Sequence, residues 1–534
     1  MRFALSAIVA LGSYAALATG QTLTHVQINA QNAPQLARQF EAAGFDVLEG
    51  SVTENSLDLI VTPQEHQFLL DEGYFPITLA VGRPLRDILR EREEIDGVPP
   101  GYLNLTEIVA EMNARAAAFP ALCKVVDLTA TYNLAPTVEG RHMFAAKVSD
   151  NVSQDEEEPV LLIVACHHAR EIVTPVIALE ALNRLTSRYG SDPTVTALVN
   201  KYEIWIAPVW NPDGYVYVFD VNNLWRKNRR VFPGGIGCDL NRNYPLGWSA
   251  PCSGSTNPAS DTYKGPSPAS EAETQTLLTW GDDRHFTKVI DYHSSGREVV
   301  QGYACLVHPF AAFLRSEGAA LSTASGYGGG IRAPSAEGEE QQSQMAYHGA
   351  HGFLIETATS FQPDYATAQA EAALVWPGII WMLQRPIPLT GRVRDAWNQV
   401  PVVATLTYQG VVFQNGEVNK SHTRFGRYHA FLPAGNYTVQ FAAAGYNTQN
   451  IPVTIENNVE KVLDVNLVRQ WPLGDCNCDG VTNNFDIDPF VLALTDPAGY
   501  KARFPNCIVY NADCNNDGVV DNFDIDPFVR LLTP

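Results

Sequence analysis

Short apolar runs that stop abruptly at a polar or charged residue dominate the middle of the chain. The run 159–166, Pro-Val-Leu-Leu-Ile-Val-Ala-Cys, has no alternation of polar and apolar positions. It therefore reads as a strand buried on both faces. A helix-like stretch follows from Thr174, clearest over 177–189, and another lies at 271–280. Two further apolar runs end at His293 (from Val289) and at Glu356 (from Phe353). Strands of this kind interleaved with helices predict an α/β domain with helices packed on a sheet.

The pattern differs on either side. Residues 21–98 read as a small α+β domain: strand 23–28, helix 33–43, strand 45–48, strand 58–61, helix 63–72. An arginine-rich stretch, 83–92, reads as a helical connector. After Pro388 the periodicity shortens to alternating strands at 390–394, 402–408, 428–431, 437–442, 449–455 and 461–468, separated by turn residues, which predicts an antiparallel β-sandwich. The C-terminus repeats itself. Asp475-Cys-Asn477-Cys-Asp479-Gly480-Val-Thr-Asn483-Asn-Phe-Asp486 returns as Asp513-Cys-Asn515-Asn-Asp517-Gly518-Val-Val-Asp521-Asn-Phe-Asp524, and Ile-Asp-Pro-Phe follows both. Oxygen donors at loop positions one, three, five, nine and twelve, with glycine at six, are what a Ca²⁺ loop needs.

At 534 residues several domains are expected. The opening, with Arg2, an apolar run to Leu17 and small residues to Gly20, reads as a secretory signal. It is too short for a flanked membrane span, and no other run is long enough for one. The expected organisation is a signal at 1–20, an N-terminal domain at 21–98, a catalytic domain at 99–385, a β-sandwich at 389–470 and calcium repeats at 474–534. The net charge of −22 argues against nucleic acid as a partner. Nine cysteines suit an oxidising, extracellular compartment. Cys476, Cys478, Cys507 and Cys514 can pair in three ways, and Cys166 reads as a buried thiol.

The candidate chemistry sits where the apolar runs end. His168 and Glu171 lie three apart after the first run, and His293 ends the second. Two imidazoles and one carboxylate form a catalytic zinc set that leaves a fourth position for water. His167 competes as a ligand, but only His168 has the three-residue spacing to Glu171. Amide hydrolysis further needs a base and a cation for the oxyanion. Glu356 and Arg226 are the candidates. Asn241 and Arg242 form a fork able to grip a carboxylate.

Read in order, these motifs resemble the zinc carboxypeptidase family. They are His-x-x-Glu at 168–171, Asn-Pro-Asp-Gly at 211–214, Trp-Arg-Lys at 225–227, Asp-x-Asn-Arg-Asn at 239–243, Tyr-x-Gly-x-x-x-x-Ser-Glu at 263–271, His-Ser at 293–294, and the strand ending at Glu356. The resemblance spans about 102–384. It implies a mixed, mostly parallel eight-stranded sheet between helices, with zinc on His168, Glu171 and His293. It makes Glu356 the general base and Arg226 the oxyanion cation. Asn241 and Arg242 would bind the terminal carboxylate of a peptide or protein, with Arg170 and Ser294 lining the cleft. The function implied is a secreted zinc carboxypeptidase. A catalytically silent peptide-binding homologue and a hydrolase of cell-wall or isopeptide bonds stand as alternatives.

The resemblance also implies a Cys238–Cys252 disulfide and an N-terminal activation domain released by cleavage near 83–92. Through Leu432-Pro-Ala-Gly435-Asn-Tyr437-Thr-Val439 and Gly445-Tyr446, the sandwich resembles a transthyretin-like domain. The repeats resemble dockerins, which implies a cohesin-type or cell-surface scaffold partner. Three departures stand out. Asn223 replaces an arginine that would give a second carboxylate contact. No tyrosine takes the substrate-capping place before Gln344. The residue that sets side-chain preference falls near Ser343.

Overall fold

The computed structural model describes residues 22–96 and 101–533. The signal expected at 1–20 lies outside the described residues, as does the boundary expected at 98. The chain divides into two compact units, Met1–Ala346 with Ala350–Arg385, and Tyr347–Gly349 with Pro386–Pro534.

The first unit opens with four strands, β1 (Thr24–Asn29), β2 (Asp46–Leu48), β3 (Ser56–Val61) and β4 (Ile77–Val81), in the order β2-β3-β1-β4, all antiparallel. Helices Ala33–Ala42 and Pro63–Asp71 complete this small α+β layer. Its core is Val26, Ile28, Phe40, Phe45, Leu57 and Leu69. Strand β4 is a feature the sequence reading lacks: every residue in it is exposed, so no burial pattern announces it. Helix Leu85–Asp96 follows, over the connector predicted at 83–92.

Next come β5 (Cys123–Asp127), β6 (Phe144–Val148), β7 (Val160–Ala165), β8 (Glu203–Ala207), the short hairpin β9 (Val231–Phe232) and β10 (Gly235–Ile236), then β11 (Lys288–Ser294), β12 (Glu298–Val300), β13 (Ile331–Arg332) and β14 (His351–Thr357). Apart from the hairpin they form one mixed sheet of eight strands, ordered β13-β12-β14-β11-β7-β8-β6-β5. Its centre, β14-β11-β7-β8, is parallel. The unbroken apolar run of β7 is explained by its two faces. Leu161, Ile163 and Ala165 pack with Ile177, Leu182 and Val375 from helices Val173–Arg188 and Tyr365–Gln384. Val160, Leu162 and Val164 pack on the other face with Leu277 and Trp280 of helix Ala272–Arg284.

The second unit holds two four-stranded sheets. One contains Leu389–Asp395 and Arg427–Ala430, the other Thr405–Tyr408, Gly435–Ala442 and Gln449–Ile455. Tyr428 and Phe441, one from each sheet, are fully buried with ring centroids 5.3 Å apart. The repeats end this unit. Their short helices Ile487–Thr495 and Ile525–Leu532 stack Phe490 on Phe528 at 4.0 Å. Gly480 and Gly518, sixth in each loop, have φ of 98° and 90°, which glycine adopts without strain. Among the described residues no helix is long and apolar enough to cross a membrane.

The cysteines correct one expectation. Cys238 and Cys252 are not paired: Cys252 bonds Cys305, and Cys238 is a buried thiol. Cys238 lies at 0% exposure, packed with Phe232 and Tyr263. Closeness along the chain gave it no route to Cys252. Cys478 bonds Cys507, leaving Cys476 and Cys514 as buried thiols.

Candidate active site

Chain direction gathers the site at the C-terminal ends of the central parallel strands, where open α/β sheets form their crevices. Strand β7 runs into Cys166, at φ 59°, and the turn that follows carries His168, Arg170 and Glu171. Strand β11 delivers His293, and β14 delivers Glu356 as its direct register partner. A cleft of about 660 Å³ opens above them. Its walls include His168, Glu171, His293, Glu356, Arg226 and Arg242.

The three candidate ligands converge. His168 Nδ1 lies 2.8 Å from Glu171 Oε1. His293 Nδ1 is 3.0 Å from His168 Nδ1 and 3.2 Å from Glu171 Oε2. Zinc ligands about 2.0–2.1 Å from the ion stand about 3.3 Å apart in a tetrahedron, so this spacing fits. Burial opposes charge on Glu171, but the two imidazoles outweigh it and hold the carboxyl well below the usual range. Burial, then Arg226, pushes His168 down, which favours a neutral imidazole with a lone pair to give. Ser294 N–H donates to Glu171 Oε2 at 3.1 Å, orienting that carboxylate.

His168 is also held from behind. Its Nε2 meets Asp239 Oδ1 at 3.1 Å. With a metal on Nδ1, the nitrogen that faces the cluster, Nε2 is left to carry the ring proton, and Asp239, which only accepts, takes it. Asp239 Oδ2 accepts from Arg226 at 2.7 and 3.0 Å. One buried aspartate therefore fixes both a candidate ligand and the candidate oxyanion cation. Asp239 was legible as part of a motif but not in this role.

The turns of the Asn-Pro-Asp-Gly and Trp-Arg-Lys motifs hold these loops in place. Asn211 Nδ2 donates to the carbonyls of His167 (3.1 Å) and Arg226 (3.3 Å), while its Oδ1 caps helix Pro212–Asp220 through Gly214 N–H. Lys227 donates to Pro258 and Ser260 carbonyls. Asn223 bonds the connector at Arg83 N (3.1 Å) and Gln362 Oε1 (2.9 Å).

The anion fork is engaged within the chain. Arg242 donates to Glu339 Oε1 and Ser335 Oγ, both at 3.2 Å. Burial pushes the Glu339 carboxyl up to about 7, with Arg242 opposing. Asn241 accepts Glu340 N–H at 2.9 Å, and its Nδ2 is 3.2 Å from His293 Nε2. Ser343 lies buried in helix Glu340–His348, and it is Glu339 that reaches the cleft. Tyr327 is turned to Glu371, 2.6 Å away, and does not line the cleft. Arg170 is buried, with its guanidinium 4.5 Å from the Phe361 ring and paired with Asp46 of the N-terminal domain, Nη2 to Oδ1 at 2.9 Å. The 44–48 segment of that domain lines the same cleft.

In the repeats, the predicted donors bind loop backbone. Asp475 accepts from Asp479 (3.2 Å) and Gly480 (2.8 Å) N–H, and Asp513 accepts from Asp517 and Gly518 N–H, both at 3.1 Å. Asp486 and Asp524 accept from loop positions three and nine, Asn477 and Asn483 in the first loop, Asn515 and Asp521 in the second. Asn477, Asp479, Asn483, Asn515, Asp517 and Asp521 each accept an N–H two residues on. The two loops thus share one bonding pattern.

Known proteins share this design. The family model described as zinc carboxypeptidase matches residues 108–374. Mouse carboxypeptidase A2 is 36% identical over 209 residues, covering 38% of this chain and 48% of the relative. Mouse carboxypeptidase A4 is 30% identical over 308 residues, covering 53% and 70%. The chain thus spans about half the length of the first of these and more than two thirds of the second. The crystal structure of carboxypeptidase A from Helicoverpa armigera shares the fold at 22% identity and a TM-score of 0.56, covering 67% of this chain and 96% of that one. With the family motifs in order along the matched segment, and His168, Glu171, Arg226, Arg242, His293 and Glu356 lining one cleft, the chain belongs to the zinc carboxypeptidase family.

Proposed function

We propose that this protein is a secreted, zinc-dependent exopeptidase that hydrolyses the last peptide bond of peptides or proteins. The observation that carries the reading is the convergence of His168, Glu171 and His293 in a cleft that also holds Glu356, Arg226 and Arg242. Zinc held by the three donors supplies an acidified water and a Lewis acid for the scissile carbonyl. Arg242 and Asn241 orient the substrate by its terminal carboxylate, Arg242 exchanging Glu339 for it. Glu356 removes a proton from the attacking water and returns it to the leaving amine. Arg226, already fixed by Asp239, meets the oxyanion without reorganising. Arg170 and Ser294 line the approach.

The N-terminal domain reads as an inhibitory pro-domain: its 44–48 segment lies in the cleft and Asp46 occupies Arg170. The test is a panel of peptides differing at the last residue, with trypsin-nicked protein, with and without a zinc chelator, plus C-terminally amidated controls. Release of single amino acids from free acids only is expected. Internal fragments point instead to a cell-wall or isopeptide hydrolase. Zinc binding without turnover marks a silent binding homologue.

The second unit supports a separate reading, in which the duplicated loops bind calcium and the transthyretin-like sandwich is a spacer. Two loops with oxygen donors at the same five positions, differing only at position nine (Asn483, Asp521), and glycine at position six favour it. A cohesin-type or cell-surface scaffold is the partner that this module would take. Calorimetry of calcium binding should show two sites per chain, and no heat overturns it.

A further inference from the structure

A second aspartate stands behind the other imidazole, and it belongs to a longer buried chain. Asp291 and His293 lie two apart on β11, on the same side of the strand. Asp291 Oδ2 is 3.1 Å from His293 Nε2. Asp291 Oδ1 is 3.1 Å from His167 Nδ1, and His167 Nε2 is 2.9 Å from the Tyr244 hydroxyl. The His167 and His293 rings stack with centroids 5.7 Å apart and planes 11° apart. Tyr244, His167 and Asp291 are all at 0% exposure.

The donor–acceptor sense follows from the aspartate. Its carboxylate only accepts, so it takes Nε2–H from His293 and Nδ1–H from His167. On the other side of the His167 ring, Nε2 meets the Tyr244 hydroxyl at 2.9 Å, the contact that anchors this chain. In His293, with the metal on Nδ1, the nitrogen facing His168 and Glu171, Nε2 is the ring nitrogen left to donate to Asp291. Asn241 Nδ2, 3.2 Å from the same Nε2, is itself a donor and finds no lone pair there once Nε2 carries the proton, so it is a packing contact.

Resting on the zinc reading above, we propose that Asp291 and His167 are positioning residues for the metal, fixing the tautomer and ring angle of His293 in a chain anchored by Tyr244. His167 thus acts on the site from behind, through Asp291, rather than as a competing ligand. Outer partners of this type typically change metal affinity by about 10–100-fold.

The test uses the full-length protein, zinc competition against a chromogenic chelator, and the visible spectrum of the cobalt(II)-loaded protein. Wild type should bind one zinc at this site, lost in His168→Ala. Asp291→Asn should bind zinc roughly 10–100-fold more weakly, with a shifted cobalt spectrum. His167→Leu should weaken it in the same direction. His167→Asn, whose amide nitrogen replaces Nδ1–H, should restore most of the loss. Thermal unfolding of each metal-free variant separates folding from affinity, and the His167 pair serves if Asp291→Asn does not fold. Wild-type affinity and spectrum in both Asp291→Asn and His167→Leu, with His168→Ala still defective, overturn this inference alone. Failure of the wild type to bind zinc overturns it together with the function it rests on.

Discussion

His293 and Glu356 are register partners on neighbouring parallel strands, β11 and β14. A candidate metal ligand and the candidate base are therefore spaced by the sheet ladder itself, not by a loop. Glu356→Gln keeps the shape and removes the proton acceptor. Turnover should fall by at least about 10²–10⁴-fold while zinc content stays at the wild-type level. Paired measurements of kcat and bound zinc check this, and unchanged turnover would sink the role.

Asp46 and Arg170 join the N-terminal domain to the turn that carries Glu171, 124 residues away in sequence. Breaking a buried pair by removing one partner costs about 3–5 kcal/mol. Asp46→Ala should loosen the domain and raise basal peptide turnover before any cleavage. Trypsin nicking at 83–92 should raise it further. Turnover that is the same before and after clean nicking would retire the pro-domain reading.

On the proposed reading, Glu339, which holds Arg242 at 3.2 Å, would compete with the substrate carboxylate for it. Its folded-state carboxyl sits near 7, pushed up by burial. Below that pH it is neutral and leaves the fork to the substrate carboxylate. As pH rises through 7 it ionises and holds Arg242, so KM should rise. A competing contact of about 1.4 kcal/mol gives a rise of roughly tenfold. KM measured from pH 5 to 9 should flatten in Glu339→Gln.

Glu65 lies on the N-terminal domain, and its carboxyl is raised to about 7 by burial and then by Asp261 of the catalytic part. The docked state therefore holds a proton that a released domain gives up. A raised acid favours docking below its ordinary value of about 4.3 and loses that contribution as pH climbs to about 7. Nicking of the connector by a fixed protease dose should become faster between these limits once corrected for the protease's own pH profile. In Glu65→Gln this rise should shrink, leaving only what Asp261 contributes, whose carboxyl burial raises to about 6.

The sheet and its helices were legible because the central strands are buried on both faces, and β7 shows it as an unbroken apolar run. His168, Glu171, His293 and Glu356 were legible for a related reason. Each stands at or just beyond the end of such a run, where a polar residue needs a cause. Strand β4 was not legible, because all of its side chains are exposed. The Cys252–Cys305 bond was not legible either, because its partners are 53 residues apart and nothing local marks the pairing.

By itself the sequence determined which residue types were available and in what order, together with the layers they would build. Local spacing carries that information, since periodicity and motif are properties of neighbours in the chain. Only the tertiary structure decided that Asp239 backs His168, that Asp291 backs His293, that Asp46 takes Arg170 and that Glu339 takes Arg242. Each of those choices except the second joins segments far apart in sequence. Even Asp291, two residues from His293, gains its meaning from His167 and Tyr244 arriving from elsewhere. Such contacts are set by how the sheet and loops pack, and pairwise spacing does not encode them.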